Sequence, residues 1–398
     1  MNKLIITRWK GRTLTALAAP DRVLELGLSE EGSVLGNIYI GRVKKIITNL
    51  NSAFVDFGDG RTGYYSMTDN PHPIYAGAHG CRLCEGDPLV VQVARDAVRT
   101  KDPVLSANLT FAGKYAVLTA GRRTIGFSAK INDKTWKESL RPQLEELLGE
   151  QSGVIVRTEA YRHEEALLRE IAALLDEYRD VLARAPYRTA GSLLYQAEPE
   201  YLKILKSSPS GTLEAVITDD ADIYEQVARY LRKYQAQDIG LLRFYQDPLI
   251  GLPALYRLET AIQQARQKRV WLKSGGYLVI ETTEAMVVID VNTGKYTGKK
   301  EPEATLRMTN LEAAEEICHQ LRLRNLSGII IVDFIDMKEE ADRELLLERL
   351  RTLATADPVR LTVVEMTKLG LVEMTRKKVR KPLWEQLLPI DSQKGMET

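Results

Sequence analysis

Hydrophobic positions in this chain come in short runs separated by Gly-, Asn- and Asp-bearing turns, and most of the runs read as strands. Residues 3–8 and 13–18 alternate around Lys10-Gly11-Arg12 as a hairpin, and 22–28 form a third strand. This stretch is too short to bury a core by itself, so it is predicted to pack with a later segment. Residues 37–106 repeat the theme: a strand over 37–47, a turn, Ala53-Phe-Val-Asp-Phe57, the turn Gly58-Asp-Gly-Arg61, Gly63-Tyr-Tyr65, and a strand over 89–94. Short strands with Gly-rich turns, exposed-type aromatics and Arg/Lys are what an OB-type RNA-binding barrel needs. Taken singly, Phe54, Phe57 and Tyr64 fit barrel core equally well.

Strands continue through 111–131, with Arg122 and Arg123 at a turn. Helical spacing then takes over in 138–148 and 164–184, the second with Leu167, Ile171, Leu174, Tyr178 and Leu182 on one face. Between them, Gly153-Val-Ile-Val-Arg-Thr158 is a strand ending on Arg157 and Thr158, a pair suited to gripping a phosphate or to an ordinary surface salt bridge. Further on, 213–218 is a strand, 223–235 and 254–268 are helices, and 271–280 is a hairpin through Gly275-Gly276. A helix over 343–353, a strand over 360–365, the basic stretch 368–381 and a polar, disordered tail over 390–398 complete the reading.

Two Val- and Ile-rich runs stand out. Ala285-Met-Val-Val-Ile-Asp-Val-Asn-Thr-Gly294 ends on Asp290 and Asn292, and Gly328-Ile-Ile-Ile-Val-Asp-Phe-Ile-Asp336 ends on Asp333 and Asp336. Their composition predicts strands buried on both faces. Between them Leu311, Ala314, Ile317, Cys318 and Leu321 have helical spacing, so the unit reads as strand–helix–strand with parallel strands. Asp290 and Asp333 then emerge side by side at the edge where open α/β sheets bind ligands. Two close carboxylates repel unless a cation joins them, and oxygen ligands with water suit Mg²⁺ or Mn²⁺. Lys295, Lys299 and Lys300 lie near this edge and suit phosphate. One aspartate at a strand's end ordinarily caps a helix or starts a turn. Two such strands with a basic loop between them point instead to a carboxylate metal site for phosphodiester chemistry.

Composition narrows the class. The 398 residues are 44% hydrophobic and 27% charged, as in soluble globular proteins, and allow two to four domains. Lys+Arg 55 against Asp+Glu 54 leaves a net charge of +1, so nucleic-acid binding must come from local patches. No run is long enough to span a bilayer, and the first residues lack a signal-peptide core. With only three cysteines, a disulfide framework is not expected and a reducing cytoplasm is. Cys81-Arg-Leu-Cys84 has the spacing of half a zinc site, but Cys318 reads as core, so a closed structural zinc site is not expected.

Taken together, these stretches resemble the catalytic half of the bacterial ribonuclease E/G family over nearly the whole chain. The resemblance rests on Gly36-Asn-Ile-Tyr-Ile-Gly-Arg-Val43, Asn51-Ser-Ala-Phe-Val-Asp-Phe-Gly58, Ile289-Asp-Val-Asn-Thr293, Thr309-Asn-Leu-Glu-Ala-Ala-Glu315, Gln320-Leu-Arg-Leu-Arg324, Ile331-Val-Asp-Phe-Ile-Asp-Met337 and Leu369-Gly-Leu-Val-Glu-Met-Thr-Arg-Lys377. The two aspartate motifs, 43 residues apart, and the Leu-Arg-Leu-Arg block between them are its most specific parts.

The resemblance implies a Mg²⁺-dependent endoribonuclease that cuts single-stranded RNA and leaves 5′-phosphate and 3′-hydroxyl ends. It implies metal aspartates at Asp290 and Asp333, a supporting Asn292, RNA contacts at Phe54, Tyr64 and Lys101, and a 5′-monophosphate pocket at Gly113, Val117, Arg157 and Thr158. It also implies an α/β multi-subdomain architecture. An RNase-H-like subdomain (1–35 and 202–266) would carry an inserted OB-type barrel (36–107) and 5′ sensor (108–201). A deoxyribonuclease-I-like catalytic subdomain (267–382) and a tail (383–398) would follow. Three positions depart from the family's pattern. Ala129, followed by Lys130, stands for one sensor arginine and Lys368 for another. Pro382-Leu-Trp-Glu-Gln lacks the family's zinc-binding Cys-Pro-x-Cys, so a homo-oligomer would form without the zinc link. Two rival readings are a non-catalytic RNA-binding regulator of the same fold, disfavoured by the intact Asp290, Asp333 and Asn292, and a phosphodiesterase for DNA or a small nucleotide, which would need no barrel clamp.

Overall fold

The computed structural model describes residues 1–29, 33–77, 82–95, 102–121, 123–149, 152–294 and 302–388. Lys101, Cys81, Arg122, Lys295, Lys299, Lys300 and the tail over 390–398 lie outside the described residues. The described part of the chain falls into two compact units, one drawn from Met1–Glu31 and Gly211–Gln393, the other from Gly32–Ser210.

The first unit opens with β1 (Asn2–Trp9), β2 (Arg12–Ala18) and β3 (Val23–Ser29). Lys10 and Gly11 join β1 to β2 with φ of 50° and 75°, the two left-handed residues that a tight hairpin turn requires. The second unit begins with β4 (Ile38–Ile47), β5 (Ser52–Asp56), β6 (Thr62–Ser66), β7 (Pro88–Arg95) and β8 (Val104–Ser106). They hydrogen-bond in the order β4-β5-β6-β8-β7, and β4 pairs back with β7, so five strands close a barrel. Tyr39, Val43, Val55, Phe57, Tyr65, Val91 and Leu105 fill it. Phe57 is therefore core.

The second unit continues with β9 (Thr110–Ala112), β10 (Ala116–Ala120), β11 (Ile125–Phe127), α1 (Lys134–Leu148), β12 (Ser152–Val156), α2 (Glu164–Arg184), β13 (Leu193–Tyr195) and α3 (Glu200–Ser207). A four-stranded sheet in the order β11-β12-β10-β9 buries Phe111, Leu118, Val154 and Val156 with Leu140 and Leu144 of α1 and Leu167, Ile171 and Leu174 of α2. The helix read over 138–148 starts earlier, where the Asp133 side chain caps Trp136 N–H at 2.9 Å.

The chain then returns to the first unit through β14 (Leu213–Thr218), α4 (Ala221–Tyr234), β15 (Leu242–Phe244), α5 (Leu252–Leu255) and α6 (Leu258–Arg266). β14 pairs in parallel with β1, giving the opening hairpin the later partner its length called for. The sheet order is β15-β14-β1-β2-β3. The single helix expected over 254–268 is two, broken at Arg257, whose φ of 50° is left-handed and cannot continue a right-handed helix.

Last come β16 (Arg269–Trp271), β17 (Tyr277–Thr282), β18 (Met286–Asn292), α7 (Pro302–Leu323), β19 (Gly328–Asp333), α8 (Glu340–Ala356), β20 (Leu361–Met366), β21 (Leu371–Arg376) and α9 (Leu383–Gln386). Their six-stranded sheet runs β16-β17-β18-β19-β21-β20. β18 and β19 are parallel, joined through α7. α7 and α8 cover one face with Ala313, Ala314, Ile317, Leu321, Leu346 and Leu350. The expectation that β18 and β19 are buried on both faces is corrected. Val288 and Ile329, at 36% and 49% exposure, look out from the other face. A Val- and Ile-rich run reports that a strand is buried, not how many of its faces are covered. Among the described residues no helix is long and apolar enough to cross a membrane.

Candidate active site

Parallel pairing of β18 with β19 sets Asp290 directly opposite Asp333. Neighbouring strands lie about 4.8 Å apart, so the two carboxylates project side by side. Both are exposed, on the sheet face that α7 and α8 leave open. Asn292, two residues on and on the same face, donates its Nδ2 to Asp290 Oδ2 at 2.6 Å. That bond fixes the Asp290 carboxylate without placing a positive charge against it. The end of β18 is held from beneath by the β16–β17 turn. Gly294 has a φ of 62°, and a Cβ there would sit 2.2 Å from the Gly275 carbonyl oxygen. Only glycine lets the chain leave the strand at this point.

The barrel brings Phe54 and Tyr64 together as register partners across β5 and β6, with ring centres 6.2 Å apart and edge to face. Both are half-buried and alternate with the fully buried Ala53, Val55 and Tyr65. They therefore stand on the barrel's outer surface. The exposed Lys45 pairs with Phe54 in the same row.

In the four-stranded sheet, Arg157 follows β12 and donates Nη1 to the Gly113 carbonyl at 2.7 Å, while its N–H bonds the Tyr115 carbonyl. Thr158 Oγ1 lies 2.9 Å from Ser128 Oγ, which also accepts the Lys130 N–H at 3.3 Å. Gly113, Arg157, Thr158 and the Lys130 backbone thus gather at one end of the sheet. Val117 is half-buried on β10, opposite the exposed Ile155. Lys368 is on the exposed turn between β20 and β21, in the other unit.

The sequence pattern described as "Ribonuclease E/G family" matches residues 110–379, a span that takes in the four-stranded sheet and both aspartates. The chain belongs to the ribonuclease E/G family. Among the family's curated members, ribonuclease G of Escherichia coli strain K12 is 34% identical over 364 residues, covering 88% of this chain and 74% of the relative. Ribonuclease G of Haemophilus influenzae is 32% identical over 397 residues, covering 96% and 80%. Ribonuclease E of a Nostoc species is 32% identical over 379 residues, covering 94% of this chain but 55% of the relative, so the chain spans little more than half of that longer member.

Two residues of this family member to which the reading of the sequence gave no role support the sites from below. Asn310, fully buried on α7, donates Nδ2 to the Ile335 carbonyl at 2.8 Å and accepts the Ile335 N–H at 3.1 Å. It satisfies both backbone groups of the irregular chain just after Asp333. Glu170 lies on the apolar stripe of α2, and its carboxylate accepts the N–H groups of Lys114, Tyr115 and Ala116 at 2.7–3.0 Å. Burial pushes its carboxyl above the usual range, against the three N–H donors that favour the charged form. A Cβ on Gly113 would fall 2.1 Å from Glu170 Oε1, so this carboxylate dictates glycine there. A charged residue at a core position was the available signal. Cys318 behaves as core, its thiol pushed up to about 12 by burial. Cys84 is exposed.

Proposed function

We propose that the protein is a Mg²⁺-dependent endoribonuclease of RNA processing and decay, cutting single-stranded RNA with a preference for 5′-monophosphate ends. The observation that carries the reading is Asp290 and Asp333 paired in register on an open sheet face, with Asn292 bound to Asp290. The relatives' names, ribonuclease E and ribonuclease G, support an RNA substrate. The mixed sheet assembled from both sides of the insertion supports an RNase-H-like assignment, and the six-stranded sheet a deoxyribonuclease-I-like one.

The donor set fits a hard cation. Among the described residues no three His, Cys, Asp or Glu side chains converge as a metal cage. Two exposed carboxylates and an amide leave room for water, which suits Mg²⁺ or Mn²⁺ and not structural zinc. Asp290 and Asp333 would hold the ion. When bound, it would supply Lewis-acid stabilisation of the charge that builds on the cleaved phosphate. Asn292 Nδ2, bonded to Asp290 Oδ2 at 2.6 Å, favours one orientation of that carboxylate. Without a cation the two carboxylates repel a phosphate and each other. Hydrolysis with the 3′ oxygen leaving gives 5′-phosphate and 3′-hydroxyl products.

The test offers labelled single-stranded RNA, single-stranded DNA and a cyclic dinucleotide, each with Mg²⁺ or EDTA. Internal cleavage of RNA alone, with Mg²⁺ alone, is expected. RNA bound but left whole would favour the non-catalytic regulator. Cleavage of the cyclic dinucleotide would favour a small-nucleotide phosphodiesterase.

Phe54 and Tyr64, with Lys101 from the family resemblance, form the proposed RNA surface of the barrel. Replacing Phe54 or Tyr64 by alanine should weaken RNA binding by about 1–3 kcal/mol per lost stack. The unfolding midpoint should fall by no more than the loss of one half-buried cross-strand pair, about 0.2–1 kcal/mol. A fall in midpoint large enough to account for the lost affinity would make the rings structural instead.

Gly113, Val117, Lys130, Arg157 and Thr158, all in the second unit, are the proposed 5′ sensor, and Lys368, in the first unit, is assigned to it by the family resemblance alone. Arginine presents a planar fork of donors and lysine a point charge, so Ala129 and Lys368 weaken the grip relative to members with arginine at both positions. The ratio of kcat/KM for 5′-monophosphorylated over 5′-hydroxyl RNA should exceed one and fall to about one in Arg157→Ala. An unchanged ratio in that variant would mean the end is read elsewhere.

A further inference from the structure

The open face of the six-stranded sheet carries a side-chain cluster that the reading above leaves without a task. Trp271, Tyr277 and Asn292 are successive register partners across β16, β17 and β18. Directly paired residues of antiparallel strands share a face, so Trp271 and Tyr277 stand on the face of Asn292 and Asp290. Arg269 and Val279 form the next row, in register with Asp290 and Asp333.

Trp271 is 63% exposed, whereas Leu272 and Leu278, on the helix-covered side, are buried. Its ring centre lies 5.3 Å from that of Tyr277, the planes inclined at 59°. The Arg269 guanidinium is 4.5 Å from the Tyr277 ring centre and 5.8 Å from that of Trp271. Core packing does not explain an indole with most of its surface in water. An exposed π-face backed by a second ring, with a guanidinium alongside, has the chemistry that holds a nucleobase and its phosphate. Two strand spacings separate β16 from β18, about 10 Å. A nucleotide seated there would lie in the same strand segment as a phosphate held at Asp290 and Asp333.

We infer that Trp271, with Tyr277 and Arg269 behind it, is a stacking subsite for one base of the RNA strand that crosses the paired aspartates. The inference rests on the nuclease reading and adds a base contact beside the scissile bond. Stacking is tolerant of base identity, so the subsite sets where the strand lies rather than which sequence is cut.

The experiment measures kcat/KM on a single-stranded RNA with one cleavage site, for the native protein, Trp271→Leu and Trp271→Phe. It is repeated on RNAs made abasic at one nucleotide at a time on either side of the cleaved bond. Trp271→Leu should lose about tenfold on the intact RNA, and Trp271→Phe should keep most of the rate. At one nucleotide, removing the base should slow the native protein by a similar factor and leave Trp271→Leu no slower than before. Melting temperature and mass by light scattering should match the native protein. Equal rates for Leu and Phe, abasic penalties that add to the Trp271→Leu loss at every position, or a lower mass pointing to a contact between copies would each overturn the subsite. Native protein that leaves the RNA intact would remove the nuclease reading and this subsite with it. Cleavage by native protein and Trp271→Leu at the same rate would remove the subsite alone.

Discussion

Asp290→Asn and Asp333→Asn should each lower turnover on single-stranded RNA by roughly a thousandfold, about 4 kcal/mol of transition-state stabilisation. The exchange keeps the shape of the side chain and removes its charge. Both side chains are exposed, so the fold has no packing to lose. RNA affinity measured without turnover should stay within a few-fold of native, because the barrel carries the proposed RNA contacts. Asn292→Ala should cost less than either, since it removes the bond that orients Asp290 and not a charge. Near-normal Mg²⁺-dependent cleavage by either aspartate variant would show that the site is misassigned.

The second large effect concerns stability. Arg376, at the end of β21, is buried and clamps Asp357 with Nε at 2.8 Å and Nη2 at 3.2 Å. Its Nη1 reaches Asn325 Oδ1 at 3.2 Å and the Leu326 carbonyl at 3.1 Å. One guanidinium thus ties the chain after α7 and the chain after α8 to β21, on the helix side of the sheet that carries the aspartates. Arg376→Met would strand a buried carboxylate and should destabilise the first unit by about 3–5 kcal/mol, read by urea denaturation. Arg376→Met with Asp357→Leu should recover most of that loss, because the penalty is the unpaired charge rather than the absent bridge. A single variant within about 1 kcal/mol of native would mean that water reaches Asp357.

The placement of the aspartates was legible in the sequence because it follows from local facts: two apolar runs, a helical stretch between them, and the rule that such strands are parallel. The same holds for the barrel hairpins and for α2, whose apolar stripe runs over the residues the pattern marks. What it did not carry is informative. β21 went unread inside a basic stretch although Val372 and Met374 alternate with Glu373 and Thr375 as a strand should, because its last inward position is an arginine, buried by an ion pair with Asp357. The break at Arg257 has no glycine or proline to announce it. The bareness of one face of β18 and β19 depends on what else packs nearby, which no strand states about itself. Asn310 and Glu170 act by satisfying backbone groups of distant turns, so their role exists only once the chain is folded. Glu170 nevertheless left a trace, as a carboxylate on a stripe of leucine and isoleucine.

If the paired aspartates cut RNA internally in a Mg²⁺-dependent reaction, the two new ends carry defined chemistry. The most direct test maps the ends produced when purified protein meets a 5′-monophosphorylated single-stranded RNA, with Mg²⁺ and with EDTA, beside Asp290→Asn. The prediction is a downstream fragment bearing a 5′-phosphate and an upstream fragment bearing a 3′-hydroxyl, formed by the native protein with Mg²⁺ and suppressed both by EDTA and by Asp290→Asn. Cleavage that persists in EDTA, or that leaves a 2′,3′-cyclic phosphate on the upstream fragment, would contradict it.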